Sequence, residues 1–249
     1  VANMLWALAK LHAHAECFAV LLPGLLRVAA QQAPRMNAQE ISNVVWALAV
    51  LRLNGEEIQG LLDALSREAA AKTGSFTPQA ISNIFWAFGV LLPSGEETQT
   101  LLDVMSREVA VKIGSFKPQH LANTCQGLAG LGVQDHTLMT SIADQVVRKV
   151  RLWSKKDLTY GLPAIVWAHA KVGLNSNQLL EVAAQVLSPA IQSLPNWDLC
   201  ALVWSYIKLD PGKAYADFRK QLVAEASMRS LDAQAVSRAR FGPENWTAE

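Results

Sequence analysis

Tryptophan recurs at a fixed interval in this 249-residue chain: Trp6, Trp46 and Trp86 stand 40 residues apart, and Trp167 and Trp204 carry the same local sequence further on. Each lies in an apolar run, such as Val1-Ala-Asn-Met-Leu-Trp-Ala-Leu-Ala-Lys-Leu11, Ile41-Ser-Asn-Val-Val-Trp-Ala-Leu-Ala-Val-Leu51 and Ile81-Ser-Asn-Ile-Phe-Trp-Ala-Phe-Gly-Val-Leu91. Leu121-Ala-Asn-Thr-Cys-Gln-Gly-Leu-Ala-Gly-Leu131 keeps the frame with Gln126 in the tryptophan slot. A period of this length marks stacked repeats, in which each unit buries its apolar face against its neighbours. Such an array presents a long binding surface more readily than a single catalytic pocket.

Each repeat has two halves. Counting from Trp46 as zero, Ile41, Val44, Val45, Leu48 and Leu51 fall on one side of a 3.6-residue spiral, which predicts an α-helix. Thr77-Pro78 and Lys117-Pro118 place proline at a first helical position. Asn37 with Glu40, and Ser154 with Asp157, have the spacing of a capping box. The second half begins at Asn54-Gly-Glu-Glu57 or Ser94-Gly-Glu-Glu97, where Asn54 and Ser94 offer N-caps and the acids suit the positive end of a helix dipole. Gly74-Ser-Phe76 and Gly114-Ser-Phe116 are expected to end these helices with a left-handed glycine. Residues 55–79 and 95–119 agree at 17 of 25 positions, so the two units derive from one ancestor. The fold class is all-α: an α-solenoid of stacked helix-turn-helix repeats of about 37–41 residues. Residues 1–249 read as a single array of six repeats plus a degenerate seventh at Gln234–Phe241, cut from a longer chain.

About half of the residues are hydrophobic, ample for a continuous core. The apolar runs are too short and too polar to span a bilayer. Cys17, Cys125 and Cys200 are an odd, widely spaced set, which argues against a disulfide framework. Net charge is only +1, but residues 148–249 hold 13 Lys+Arg against 9 Asp+Glu, so an anionic partner would be drawn there. His12 and His14 lack a third ligand at suitable spacing, and no phosphate loop or nucleophile motif appears. The expectation is a binding protein without enzyme activity, metal or cofactor.

Ser75-Phe-Thr-Pro-Gln-Ala-Ile-Ser-Asn-Ile-Phe-Trp-Ala-Phe88 and Ser115-Phe-Lys-Pro-Gln-His-Leu-Ala-Asn-Thr124 resemble octotricopeptide repeats. The resemblance covers nearly the whole chain and departs from the pattern at Gln126, at Pro163 and in the later units. It implies organellar proteins, of chloroplast or mitochondrion, that bind single-stranded RNA and support transcript stability, processing or translation. Related proteins carry a C-terminal RAP domain, and nothing after Phe241 resembles one.

A reading surface is expected on the tryptophan helices at offsets −6, −3, +1 and +4. The −6 column varies in kind, with Glu40, Ala80, His120, Gly161 and Asp198, as a base-reading column would. The −3 column supplies Asn43, Asn83 and Asn123, and +4 supplies Lys10, Lys171 and Lys208 for phosphates. The run Arg148-Lys149-Val-Arg151-Leu-Trp153 joins cations to an aromatic, the combination that holds a single strand. The repeated tryptophans are expected to pack against the next unit as core, and Trp197 to lie in a loop-like segment. The alternative function is an armadillo- or HEAT-like scaffold with protein partners, which near-neutral charge favours.

Overall fold

A computed structural model describes residues 1–11, Phe18, residues 20–210 and residues 214–231. The degenerate seventh repeat, Cys17, His12 and His14 lie outside the described residues. Among those residues every regular element is helical, as the hydrophobic period predicts. The helices are α1 (Ala2–Lys10), α2 (Leu22–Gln32), α3 (Ala38–Val50), α4 (Glu56–Ala71), α5 (Pro78–Leu91), α6 (Glu96–Lys112), α7 (Pro118–Leu131), α8 (His136–Lys149), α9 (Leu162–Val172), α10 (Asn177–Leu187), α11 (Asn196–Leu209) and α12 (Ala216–Met228).

The chain forms two compact units, Val1–Phe116 and Lys117–Glu249. In the first, the tryptophan helices α1, α3 and α5 pack side by side in one layer, and α2, α4 and α6 form the other. In the second, α7, α9 and α11 make one layer, with α8, α10 and α12 behind them. Within each unit this is the layering of a helical solenoid. The core lies between the layers: Val44, Val45 and Leu48 of α3, with Leu61, Leu62 and Leu65 of α4, are buried almost completely. In the middle repeats, small residues one and three positions after the tryptophan slot, such as Ala47, Ala49, Ala87, Ala168 and Ala170, are buried too. They let neighbouring helices of a layer approach closely.

The helix starts follow the sequence. Asn37 Oδ1 accepts from Glu40 N at 2.9 Å while Glu40 Oε2 accepts from Asn37 N at 2.9 Å, a complete capping box. Pro78 and Pro118 occupy first helical positions. Two expectations need correction. The N-caps of α4 and α6 are Gly55 and Gly95, at φ 109° and 108°, one residue beyond Asn54 and Ser94. Gly74 and Gly114 lie inside short 3-10 turns, Thr73–Ser75 and Ile113–Ser115, and the left-handed C-caps among the described helices are Leu92, Gly132 and Gly173 instead. The 3-10 turns swing the chain back so that Phe76 and Phe116 bury as anchors before the next helix.

The fifth repeat absorbs Pro163 by a different route. Ser154 and Asp157 cap the start, with Asp157 N donating to Ser154 Oγ at 3.2 Å, and a π-turn over Asp157–Gly161 follows. Proline has no N–H to offer four residues back, and the wider turn carries the chain past that missing bond.

Candidate nucleic-acid interface

In the −6 column Glu40, Ala80, His120 and Asp198 are the third residues of their helices and Gly161 directly precedes α9, and the side chains of Glu40 and His120 cap. The Glu40 carboxylate is committed to its capping box. His120 takes the same role, its Nδ1 accepting the Lys117 backbone N–H at 3.2 Å. Burial first, and the Lys117 cation second, hold His120 below the usual histidine range, so the acceptor lone pair stays available. Gly161 is buried against Pro118, and Asp198 is only 5% exposed in the first turn of α11. The variation in this column therefore follows local helix starts, and Asp198 presents no outward surface.

The +1 column is buried as well: Ala47, Ala87, Gly127, Ala168 and Ser205 all sit within the layer. Ser205 Oγ donates back to Ala201 O at 2.6 Å. The outward line runs instead through offsets −7, −3, 0 and +4. At about 100° per residue these four fall within about 60° of one another, whereas −6 and +1 turn to about 100–120° from the tryptophan. In the first unit this line contains exposed Gln39 and Gln79, half-buried Asn43 and Asn83, the tryptophans, and half-buried Val50 and Val90. In the second it contains Gln119 and Asn123, then exposed Tyr160 and Lys171, then Trp197, Trp204 and exposed Lys208, interrupted by the buried Gln126, Ala164, Trp167 and Ala201. The glutamines and Tyr160 escaped the sequence reading because the chosen face was rotated by one residue. Trp197 belongs to the first turn of α11, where Leu-Pro-Asn-Trp suggests a loop.

Tryptophan burial is graded. Trp86 and Trp167 are core at 7% and 2% exposure, Trp46 and Trp204 are half-buried, and Trp6 is 41% exposed. Lysines at +4 reach the rings of their own line: Lys208 Nζ lies 5.0 Å from the Trp204 ring centre, and Lys10 Nζ lies 5.7 Å and 5.6 Å from Trp6 and Trp46. Cation and ring together form a surface that a nucleotide can stack upon.

An open groove of about 680 Å³ runs across the N-terminal halves of α3 and α5. Its walls include Arg35, Gln39, Asn43, Lys72, Gln79 and Asn83. Lys72 is spoken for, its Nζ donating to Pro34 O and Met36 O at 3.0 Å each and to Glu68 at 2.9 Å.

The basic run is partly structural. Arg148 donates to Gln145 Oε1 at 3.4 Å, and Arg151 to Gln185 Oε1 at 3.1 Å. Lys149 is half-buried at the end of α8, the place that Lys112 holds in α6. Trp153 follows the 3-10 turn as Phe116 does, and is a half-buried anchor of its repeat. Exposed Arg148, Arg151, Lys155 and Lys156 leave this turn cationic.

Among the described residues, no group of three or more His, Cys, Asp or Glu side chains is placed to hold a metal ion. No helix there is long and apolar enough to cross a membrane. Cys125 and His169 are buried, and burial pushes the thiol up and the imidazole down, so both stay neutral.

No curated protein matches the chain. The family model that matches is the Tbc2 translation factor, N-terminal domain, over residues 13–209. This corrects the octotricopeptide assignment. Tryptophan, alanine and leucine at these spacings are what close-packed helical hairpins require, so the strings reported packing more than family. With most of its length inside that match, the chain belongs to the family of the Tbc2 translation factor N-terminal domain.

Proposed function

We propose that this chain binds single-stranded RNA along the outward line of its tryptophan helices, in support of translation. The observation that carries this reading is the recurrence of amides, aromatic rings and lysines on one line. Rings supply stacking that any base accepts, amides supply hydrogen-bonding edges, and lysines meet phosphates. Family membership supports the translation setting. A net charge of +1 implies that stacking and amide contacts contribute more than a broad basic field.

Selection from a random RNA pool with the full chain tests the proposal. Enrichment of one sequence class, bound with a modest salt dependence, is the expected result. Recovery of no enriched sequence, together with weak and salt-insensitive binding, would overturn it and favour the scaffold for protein partners. The organellar location came only with the octotricopeptide resemblance; fractionation of cells with an antibody to the protein decides it.

A further inference from the structure

The polar groups around the groove between α3 and α5 divide into two sets. Asn37 and Thr77 cap their helices, Ser42 and Ser82 donate to Gln39 O and Gln79 O at 3.0 Å each, and Lys72 holds the preceding turn. All of these are satisfied by the protein itself. Asn43 and Asn83 are different. They stand at the same position in consecutive repeats, are half-buried, line the groove, and make no side-chain hydrogen bond among the described residues. A half-buried carboxamide without a protein partner is a donor–acceptor pair left for a ligand or for solvent. Asn43 and Asn83 form the matched half-buried pair of this groove, and Gln39 and Gln79 stand exposed at its rim.

We infer that this groove reads one adenine of a single-stranded RNA, with Asn43 and Asn83 as its specificity-determining residues; the inference rests on the proposed RNA binding. A carboxamide sets an N–H donor beside a carbonyl acceptor. Adenine offers the complementary pair on both of its edges, with the N6 amino group flanked by N7 on one side and N1 on the other. Guanine has two acceptors on its N7 edge, and the pyrimidines have only one such edge. On the two edges that flank the exocyclic group at C6 of a purine or C4 of a pyrimidine, two amides therefore satisfy adenine twice, and guanine and the pyrimidines once. The volume of about 680 Å³ falls in the range of about 300–1,000 Å³ typical of small-ligand sites. Arg35, exposed on the same groove, supplies a cation for the adjoining phosphate.

The test is parallel selection from a random RNA pool with the full chain and with the double variant Asn43→Leu, Asn83→Leu, which keeps side-chain size and removes the amides. The wild type should enrich a motif holding one strongly preferred adenine. The variant should lose that preference by about 5- to 150-fold while the rest of the motif persists. A motif unchanged in the variant, or a different base at the affected position, overturns the inference and leaves RNA binding standing. A wild type that enriches nothing overturns both. Circular dichroism checks that the variant folds. Should it not, 7-deazaadenine placed at the preferred position of the selected RNA reads the same contact with wild-type protein: weaker binding supports the inference and unchanged binding overturns it.

Discussion

Lys112 Nζ donates to the backbone oxygen of Phe76 at 2.8 Å, joining the end of α6 to the turn that precedes α5. It also reaches Gly74 O at 3.0 Å and pairs with Glu108. The relationship repeats. Lys72 holds Pro34 O and Met36 O beside Glu68, and Arg229 holds Leu194 O at 2.7 Å and Gln192 O at 2.9 Å beside Glu225. In each case a cation at the end of a second helix, oriented by an acid one turn earlier, satisfies carbonyls that the 3-10 turn leaves open. The anchors Met36, Phe76 and Leu194 are buried directly after these turns.

Replacing Lys112 by Met keeps the aliphatic stem and deletes the donor. The variant should lose about 1–3 kcal/mol of stability, because partly buried carbonyls lose a charged partner. Urea denaturation followed by circular dichroism measures it. A midpoint equal to wild type would show that water replaces the lysine at no cost.

Tryptophan replacements should follow burial rather than sequence position. Trp86→Ala and Trp167→Ala should each cost about 3–5 kcal/mol, as for a deleted core aromatic. Trp6→Ala, at an exposed site, should change stability by less than about 1 kcal/mol, as surface substitutions generally do. Thermal melts of the three variants give the ranking, and a Trp6 variant as damaged as Trp86 contradicts the described burial.

Acid should loosen the second unit near pH 6. His169 is 1% exposed, with Nδ1 2.9 Å from Ile165 O and Nε2 3.1 Å from Met139 O. Burial depresses its pKa below the unfolded value of 6.5, outweighing the two carbonyls, which favour the charged form. A histidine held neutral contributes stability that is fully present above pH 6.5 and is lost as pH falls through and below it. The slope approaches about 1.4 kcal/mol per pH unit per proton in that window. Denaturation midpoints between pH 7.5 and 5.5 should fall less for His169→Gln than for wild type.

Lysines on the outward line should act on all RNA sequences alike. Changing Lys171 and Lys208 together to Ala should weaken binding uniformly and reduce the salt slope by about 0.7 for each phosphate that is no longer neutralised. Changing Arg148 and Arg151, already hydrogen-bonded to Gln145 and Gln185, should have a smaller effect. If only the arginine pair changes the slope, the phosphates track the turn after α8 instead of the tryptophan helices.

By itself the sequence determined the all-helical class, the repeat register and most helix starts. These depend on local chemistry: the spacing of Ile41, Val44, Val45 and Leu48, the reciprocal bonds of Asn37 and Glu40, and the proline at Pro78. Only the tertiary structure decided which side of each tryptophan helix faces outward. A helix inside a layer is covered behind and on its flanks, so the apolar stripe from Ile41 to Leu48 marks one covered side and says nothing of the others. Ala47 and Ala87 look like neutral surface residues in the sequence, yet they are the contacts between neighbouring helices, and the visible line moves to Gln39, Asn43 and Trp46. The Lys112–Phe76 and Arg229–Leu194 ties were equally hidden. They join side chains to backbone carbonyls more than 30 residues away, and a backbone carbonyl has no identity in a sequence.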